Sequence, residues 1–146
     1  LGAAMTDGGR IDHLVVAGVG GRIFEPPRDP DGMAKAMEAA SPDEIADPML
    51  RSFRHFADEQ KEDRLALAAC SRGPRQPITQ EALMAIRRPA LVIAGARDQL
   101  AGPPQGLADA IMGAKAVTIP GCDHFSMIAH GLFKASVFDF FDGWLE

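Results

Sequence analysis

Long apolar runs are missing from this chain. No stretch approaches the roughly 20 residues that a helix needs to cross a bilayer, and no charged n-region with an apolar h-region precedes the first patterned segment. Cysteine is scarce: Cys70 and Cys122 are the only two, and they have neither metal-ligand spacing nor a secretory framework. Reduced thiols in a cytoplasm, with no metal and no cofactor, are therefore expected. Positive charge is not in excess, since 15 Lys and Arg against 20 Asp and Glu leave a net charge of −5. That balance argues against nucleic acid as a partner. Repeats, heptads and low-complexity tracts do not occur. What is present is 146 residues, 47% of them hydrophobic, enough for one domain with a buried core. The first residue is Leu rather than Met, and the chain reads as a piece of a longer product.

The most informative stretch runs from Arg88 to His124. Two β-type runs, Ala90–Ala94 and Ala116–Ile119, bracket a helix-length segment, giving a strand–helix–strand unit. Ala-Leu-Val-Ile-Ala is continuously apolar, as expected of a parallel strand covered on both faces. Open α/β sheets place their chemistry just past the carboxyl ends of such strands, and Asp98 and His124 are both there. Taken singly, Asp98 reads as an Asx-turn or helix N-cap and His124 as a surface imidazole. Taken together, they read as a carboxylate that fixes the tautomer of an imidazole and stabilises its protonated form while the other ring nitrogen moves a proton.

At these residues the chain resembles the α/β-hydrolase family. Pro89 to Asp98, a proline, an apolar run and Gly-x-x-Asp, looks like the family's acid motif. Ile-Pro-Gly-Cys-Asp-His at 119–124 looks like its base motif, and Leu132–Leu145 like its closing helix. The fold class implied is a three-layer α/β sandwich, with a partial parallel sheet made of the last strands of that fold. The family's chain order is Ser, Asp, His. The resemblance thus implies Asp98 and His124 as the acid and base of acyl hydrolysis on a partly apolar small molecule, with a serine upstream. Leu1-Gly2 would fit the two residues after that serine, with the Leu1 amide as an oxyanion donor; a frayed terminus is the plainer reading. Two alternatives remain open: a non-catalytic binding or partner-interaction domain on the same fold, and chemistry with an Asp nucleophile on the same elbow.

The rest of the chain fits around this unit. A short helix before Asp7-Gly8-Gly9 leads to a strand over Ile11–Gly18, which resembles the family's strand after the nucleophile helix. Gly18-Val19-Gly20-Gly21 is not a dinucleotide site: the third glycine position is Ile23, and Pro26-Pro27 prevents the receiving helix. His13 reads as structural. Residues 25–77 lose the strand pattern and read as a helical insert within the 1–146 domain. In it, Ser41-Pro42-Asp43-Glu44 predicts a capping box, Asp47-Pro48 a second helix start, and Lys61–Arg64 a solvated turn or helix start. Met49, Leu50, Phe53, Phe56 and Ala57 fall on one helical face, with Arg54 and His55 beside or opposite it. Met33, Met37, Met49, Phe53 and Phe56 would line the insert, which the resemblance makes a cap; plain core packing explains the same residues.

Ala69-Cys70-Ser71-Arg72-Gly73 imitates a nucleophile elbow. It lacks the strand before and the helix after that an elbow needs, so neither Ser71 nor Cys70 is expected to act. Thr79-Gln80-Glu81 starts a helix carrying Leu83, Met84 and Ile86. Pro103-Pro104 opens another, which Gly113 closes. Phe125 and Met127 are expected at the site mouth. Phe133, Val137, Phe140, Phe141 and Trp144 would face the sheet from the last helix. If the chain starts near Leu1, the Leu14–Ala17 strand is an open sheet edge, and a homodimer through His13–Ala17 is expected.

Overall fold

The computed structural model describes residues 1–6, 8–26, 29, 31–74 and 78–145. Asp7, Pro27 and Pro77, which the sequence pattern uses as breaks, lie outside the described residues. The fold has strands β1 (Leu14–Ala17), β2 (Ala90–Gly95) and β3 (Lys115–Ile119). Its helices are α1 (Gly2–Thr6), α2 (Gly32–Glu38), α3 (Pro48–Glu59), α4 (Arg64–Arg72), α5 (Gln80–Met84), α6 (Pro104–Ala108) and α7 (Gly131–Phe141). They divide into two compact units, Leu1–Pro26 with Gln76–Glu146, and Pro27–Arg75.

The first unit is an α/β layer structure with sheet order β1-β2-β3, all parallel. The central strand β2 is buried along its whole length, which is why its sequence does not alternate. Side chains still alternate between faces. Val16, Ala90 and Val92 join Ala4, Leu83, Ile86, Leu107, Ala108 and Ile111 in one cluster, covered by α1, α5 and α6. Ile93, Ile119, Cys122 and Met127 form the other, with Val15, Val117 and Phe133 of α7 packed on it. Burial of each large aliphatic side chain stabilises by about 1.5–3 kcal/mol. The register sets Ala17 beside Ile93 and Gly95 beside Ile119, so all three strands end at the same edge.

Several expectations need correction. The first strand begins at Leu14, whose amide bonds Pro89 O at 3.0 Å, and not at Ile11. α6 stops at Ala108 and continues to Gly113 only as tight turns, with Ala110 N on Leu107 O and Ile111 N on Ala108 O. α7 buries Phe140, but Phe141 is 54% and Trp144 79% exposed. Adjacent positions lie about 100° apart on a helix, so Phe140 and Phe141 cannot both face the sheet. Trp144 lies past the helix end, beyond Gly143 at φ 78°. Met127 is buried in the second cluster instead of standing at a site mouth.

The second unit is helical. Asp47 Oδ1 accepts from Met49 N and Leu50 N, and Asp63 Oδ1 from Leu65 N and Ala66 N, which caps α3 and α4. The Ser41 start produces only one 3-10 turn, Pro42–Glu44, because Glu44 reaches back to Ala40 N and the backbone turns extended at Ile45. Ala34, Met37, Ala57 and Ala68 make the core, with Met33 and Phe53 against it, while Phe56 is half exposed. Arg54, expected beside or opposite the apolar stripe, is 3% exposed. Its Nη1 donates to Ala39 O at 2.6 Å and Ala36 O at 3.2 Å, and its Nε to Asp58. The carbonyls that α2 leaves without helical partners thus find their donor in the core.

Candidate active site

Asp98 and His124 meet at the carboxyl edge of the sheet. Asp98 follows β2 by a tight turn in which its amide bonds Gly95 O at 3.1 Å. His124 follows β3 and a turn at Gly121, φ 71°. His124 Nδ1 lies 2.8 Å from Asp98 Oδ2, with the Asp98 side chain fully buried and the imidazole 21% exposed. An ionised carboxylate can only accept, so Nδ1 carries the hydrogen and Nε2 is the basic nitrogen of the neutral ring. The carboxylate is thus enclosed while part of the imidazole reaches solvent.

One carboxylate makes both the local turn contacts and the contact to the imidazole. Oδ2 faces the imidazole, while Oδ1 accepts from Leu100 N at 3.0 Å and Ala101 N at 2.9 Å. The loop after the acid is therefore folded around it. The segment after β1 braces that loop from the other side: Gly21 N donates to Pro103 O, Arg22 N to Ala101 O, and the Arg22 guanidinium to Gln99 O. The glycine tract excluded above as a nucleotide motif serves this packing. Gly18, at φ 67°, passes under the imidazole, where a Cβ would stand 3.0 Å from His124 Cε1. Only glycine gives both that conformation and that clearance.

The loop before and after the base carries residues that motif reading passed over. Arg97 N bonds Cys122 O at 2.8 Å, and its guanidinium donates to Gly121 O. Asp123 Oδ1 accepts from Ser126 Oγ, Ser126 N and Phe125 N, and Ser126 Oγ accepts from Asp123 N. The Ser126 hydroxyl and then its amide hold the Asp123 carboxyl below its ordinary value against the opposing effect of burial, with the Phe125 amide and the charge of Arg97 adding less. Asp-x-x-Ser is a recognisable side-chain turn pattern, and that was the available signal. The Phe125 ring stands edge-on to His124 with centroids 5.7 Å apart.

The other candidates stay outside this constellation. Ser71 lies within α4, its hydroxyl donating to Leu67 O at 2.9 Å, with no strand before it. Ser126 is committed to Asp123, and Ser136 lies within α7. His13 packs edge-on against Phe140 and Phe141, at 5.6 and 5.8 Å. Leu1 precedes α1 and accepts from Met5 N. Cys70 and Cys122 are free thiols. Among the described residues no group of His, Cys, Asp and Glu could hold a metal, and no helix is long and apolar enough to cross a membrane.

No curated protein sequence matches the chain. Among solved structures, the enol-lactonase from Burkholderia xenovorans LB400 is similar over 96% of this chain and 60% of its own, with 24% identity and a TM-score of 0.72. MenH from S. aureus is similar over 97% of this chain and 62% of its own, with 19% identity and a TM-score of 0.70. A hydrolase from Pseudomonas aeruginosa PA01 is similar over 95% and 58%, with 24% identity and a TM-score of 0.63. At these identities the likeness is one of fold, and this chain spans about 60% of the length of those relatives. The family model described as the alpha/beta hydrolase family matches residues 1–133, and the chain belongs to that family.

Proposed function

We propose that this chain carries the acid and base of a serine-type hydrolase acting on an ester, lactone or similar acyl bond of a partly apolar small molecule. The carrying observation is the 2.8 Å contact between His124 Nδ1 and a fully buried Asp98 carboxylate at the carboxyl edge of a parallel sheet. In this reading a serine hydroxyl attacks the carbonyl while His124 Nε2 takes its proton, which then passes to the leaving oxygen as the acyl-enzyme forms. Water repeats the cycle: its proton goes to Nε2, its oxygen to the acyl carbon, and the serine leaves with the proton returned. Asp98 holds the ring and stabilises the imidazolium. The oxyanion is held by backbone amides, worth about 3–4 kcal/mol per donor, with the Leu1 amide as one candidate. The serine is supplied by a part of the protein outside this sequence, since those in it are held in helices or turns of their own.

The helical unit fits the role of the family's substrate-selecting insert, and the Met and Phe side chains there suit an apolar substrate portion. A cytoplasmic setting suits the two free thiols. As an isolated chain the protein is expected to self-associate through β1, whose outer edge pairs with no strand among the described residues. A compact monomer in sedimentation at micromolar concentration would refute that.

The decisive experiment compares this chain with the complete protein on an activated ester. This chain alone should remain at background, and the complete protein should turn over, losing about 10⁴-fold on Asp98→Asn and comparably on His124→Ala. Turnover by this chain that disappears in Ser71→Ala would show the wrong serine was set aside. A complete protein inert to esters and lactones would favour a binding domain.

A further inference from the structure

We propose that Asp123, acting through Ser126, is a positioning residue for the His124 base. The inference rests on the hydrolase reading only for its catalytic consequence. Its structural content stands on the base loop itself.

The Asp98 bond fixes Nδ1 of the imidazole, and the position of the whole ring also follows any movement of its own backbone. The base loop starts from a weak point: Gly121 adopts φ 71° with nothing within 4 Å of where a Cβ would be. Two restraints oppose this upstream, the Arg97 amide on Cys122 O and the Arg97 guanidinium on Gly121 O. Downstream, Met127 is anchored in the core. Residues 123–126 between these anchors are closed into one turn by Asp123. Its Oδ1 accepts from Ser126 Oγ at 2.6 Å, Ser126 N at 2.9 Å and Phe125 N at 3.1 Å. Ser126 Oγ in turn accepts from Asp123 N at 3.0 Å, so the two side chains close a ring around the backbone of His124. A single acceptor atom with three donors leaves that backbone little freedom, and the imidazole inherits its direction from it. Asp98 sets the tautomer; Asp123 sets where the ring is.

The test reads the ring directly. In the ¹⁵N-labelled chain, the His124 Nδ1 proton, hydrogen-bonded to Asp98, should give a slowly exchanging downfield resonance, with its loss in Asp98→Asn as the reference. Asp123→Ala should broaden or abolish that resonance at temperatures where the chain remains folded. Asp123→Asn, which keeps the acceptor oxygen, and Ser126→Thr, which keeps the hydroxyl, should retain it. In the complete protein Asp123→Ala should lower kcat by about ten- to a hundredfold with KM unchanged. A folded Asp123→Ala with the wild-type resonance overturns the proposal. So does an Asp123→Asn that loses it as fully as the alanine variant, since charge rather than the turn would then be responsible. If Asp123→Ala does not fold, Ser126→Ala decides, an unchanged resonance again refuting the idea. Failure of the hydrolase reading is separable: the resonance would respond as described while Asp98→Asn and His124→Ala left turnover of the complete protein intact.

Discussion

Replacing Gly95 with alanine should loosen the contact between the acid and base loops without touching either ionisable residue. Gly95 ends β2, paired with Ile119, at the point where the chain leaving β3 crosses over it. A Cβ there would stand 2.8 Å from the Cys122 carbonyl carbon and 2.9 Å from Asp123 O, and closer still to Cys122 O. The carbon is 0.6 Å inside ordinary contact (3.4 less 2.8). The obstacle is backbone, so no side-chain rotation relieves it. The same Cys122 carbonyl accepts the Arg97 amide at 2.8 Å, so the base loop cannot retreat without stretching the bond that ties it to the acid loop. Overpacking of this kind costs about 1–3 kcal/mol, or a fall of about 3–12 °C in Tm for a chain of this size. Thermal unfolding followed by circular dichroism measures it, with Gly113→Ala as control. Gly113 is at φ 74° with nothing within 4 Å, so alanine there should lose only the backbone-conformation cost of about 1 kcal/mol. The His124 Nδ1 proton resonance should also change in Gly95→Ala and not in the control. Wild-type melting and an unchanged resonance in Gly95→Ala would refute the claim that the two loops are packed to contact at this point.

Two further outcomes follow from the same kind of accounting. Arg54→Ala should destabilise the helical unit by about 2–3 kcal/mol, because Ala36 O loses its buried donor and Ala39 O keeps only the longer bond from the Arg64 guanidinium at 3.4 Å, whereas Asp58, 37% exposed, can recover water; urea unfolding measures it, and a midpoint equal to wild type would refute the role. Asp123 titrates below its ordinary value in the fold, so the stability it adds is complete above about pH 3.9, the unfolded value, and is lost as pH falls through the depressed folded value. Urea midpoints of wild type and Asp123→Asn should therefore differ at neutral pH and converge in acid, and a gap that persists in acid would show that the carboxylate charge is not its source.

What the sequence determined by itself was whatever a short window can specify. The short, continuously apolar Ala90–Ala94 run has the pattern expected of a doubly covered parallel strand, and β2 is buried along its whole length. Asp47, Asp63 and Thr79 cap helices through amides two or three residues away. Asp98 and His124 were each legible as polar residues just past a strand end. Tertiary structure decided everything that depends on which distant segments touch. Ser41–Glu44 has the pattern of a helix start, yet Glu44 found Ala40 N and the backbone turned extended after one turn. Arg54 falls beside or opposite the apolar stripe in sequence, which leaves its burial open; the carbonyls that α2 leaves unpaired needed a donor and drew it inside. Phe140 and Phe141 have the same hydropathy, and only the rotation of α7 against β2 and β3 selects the first for burial. Asp98 and His124 are separated by 26 residues, and no local pattern measures the space between them. The parallel register that ends β2 beside β3, and the packing of Gly18 and Gly95 that lets the loops close, bring them to 2.8 Å.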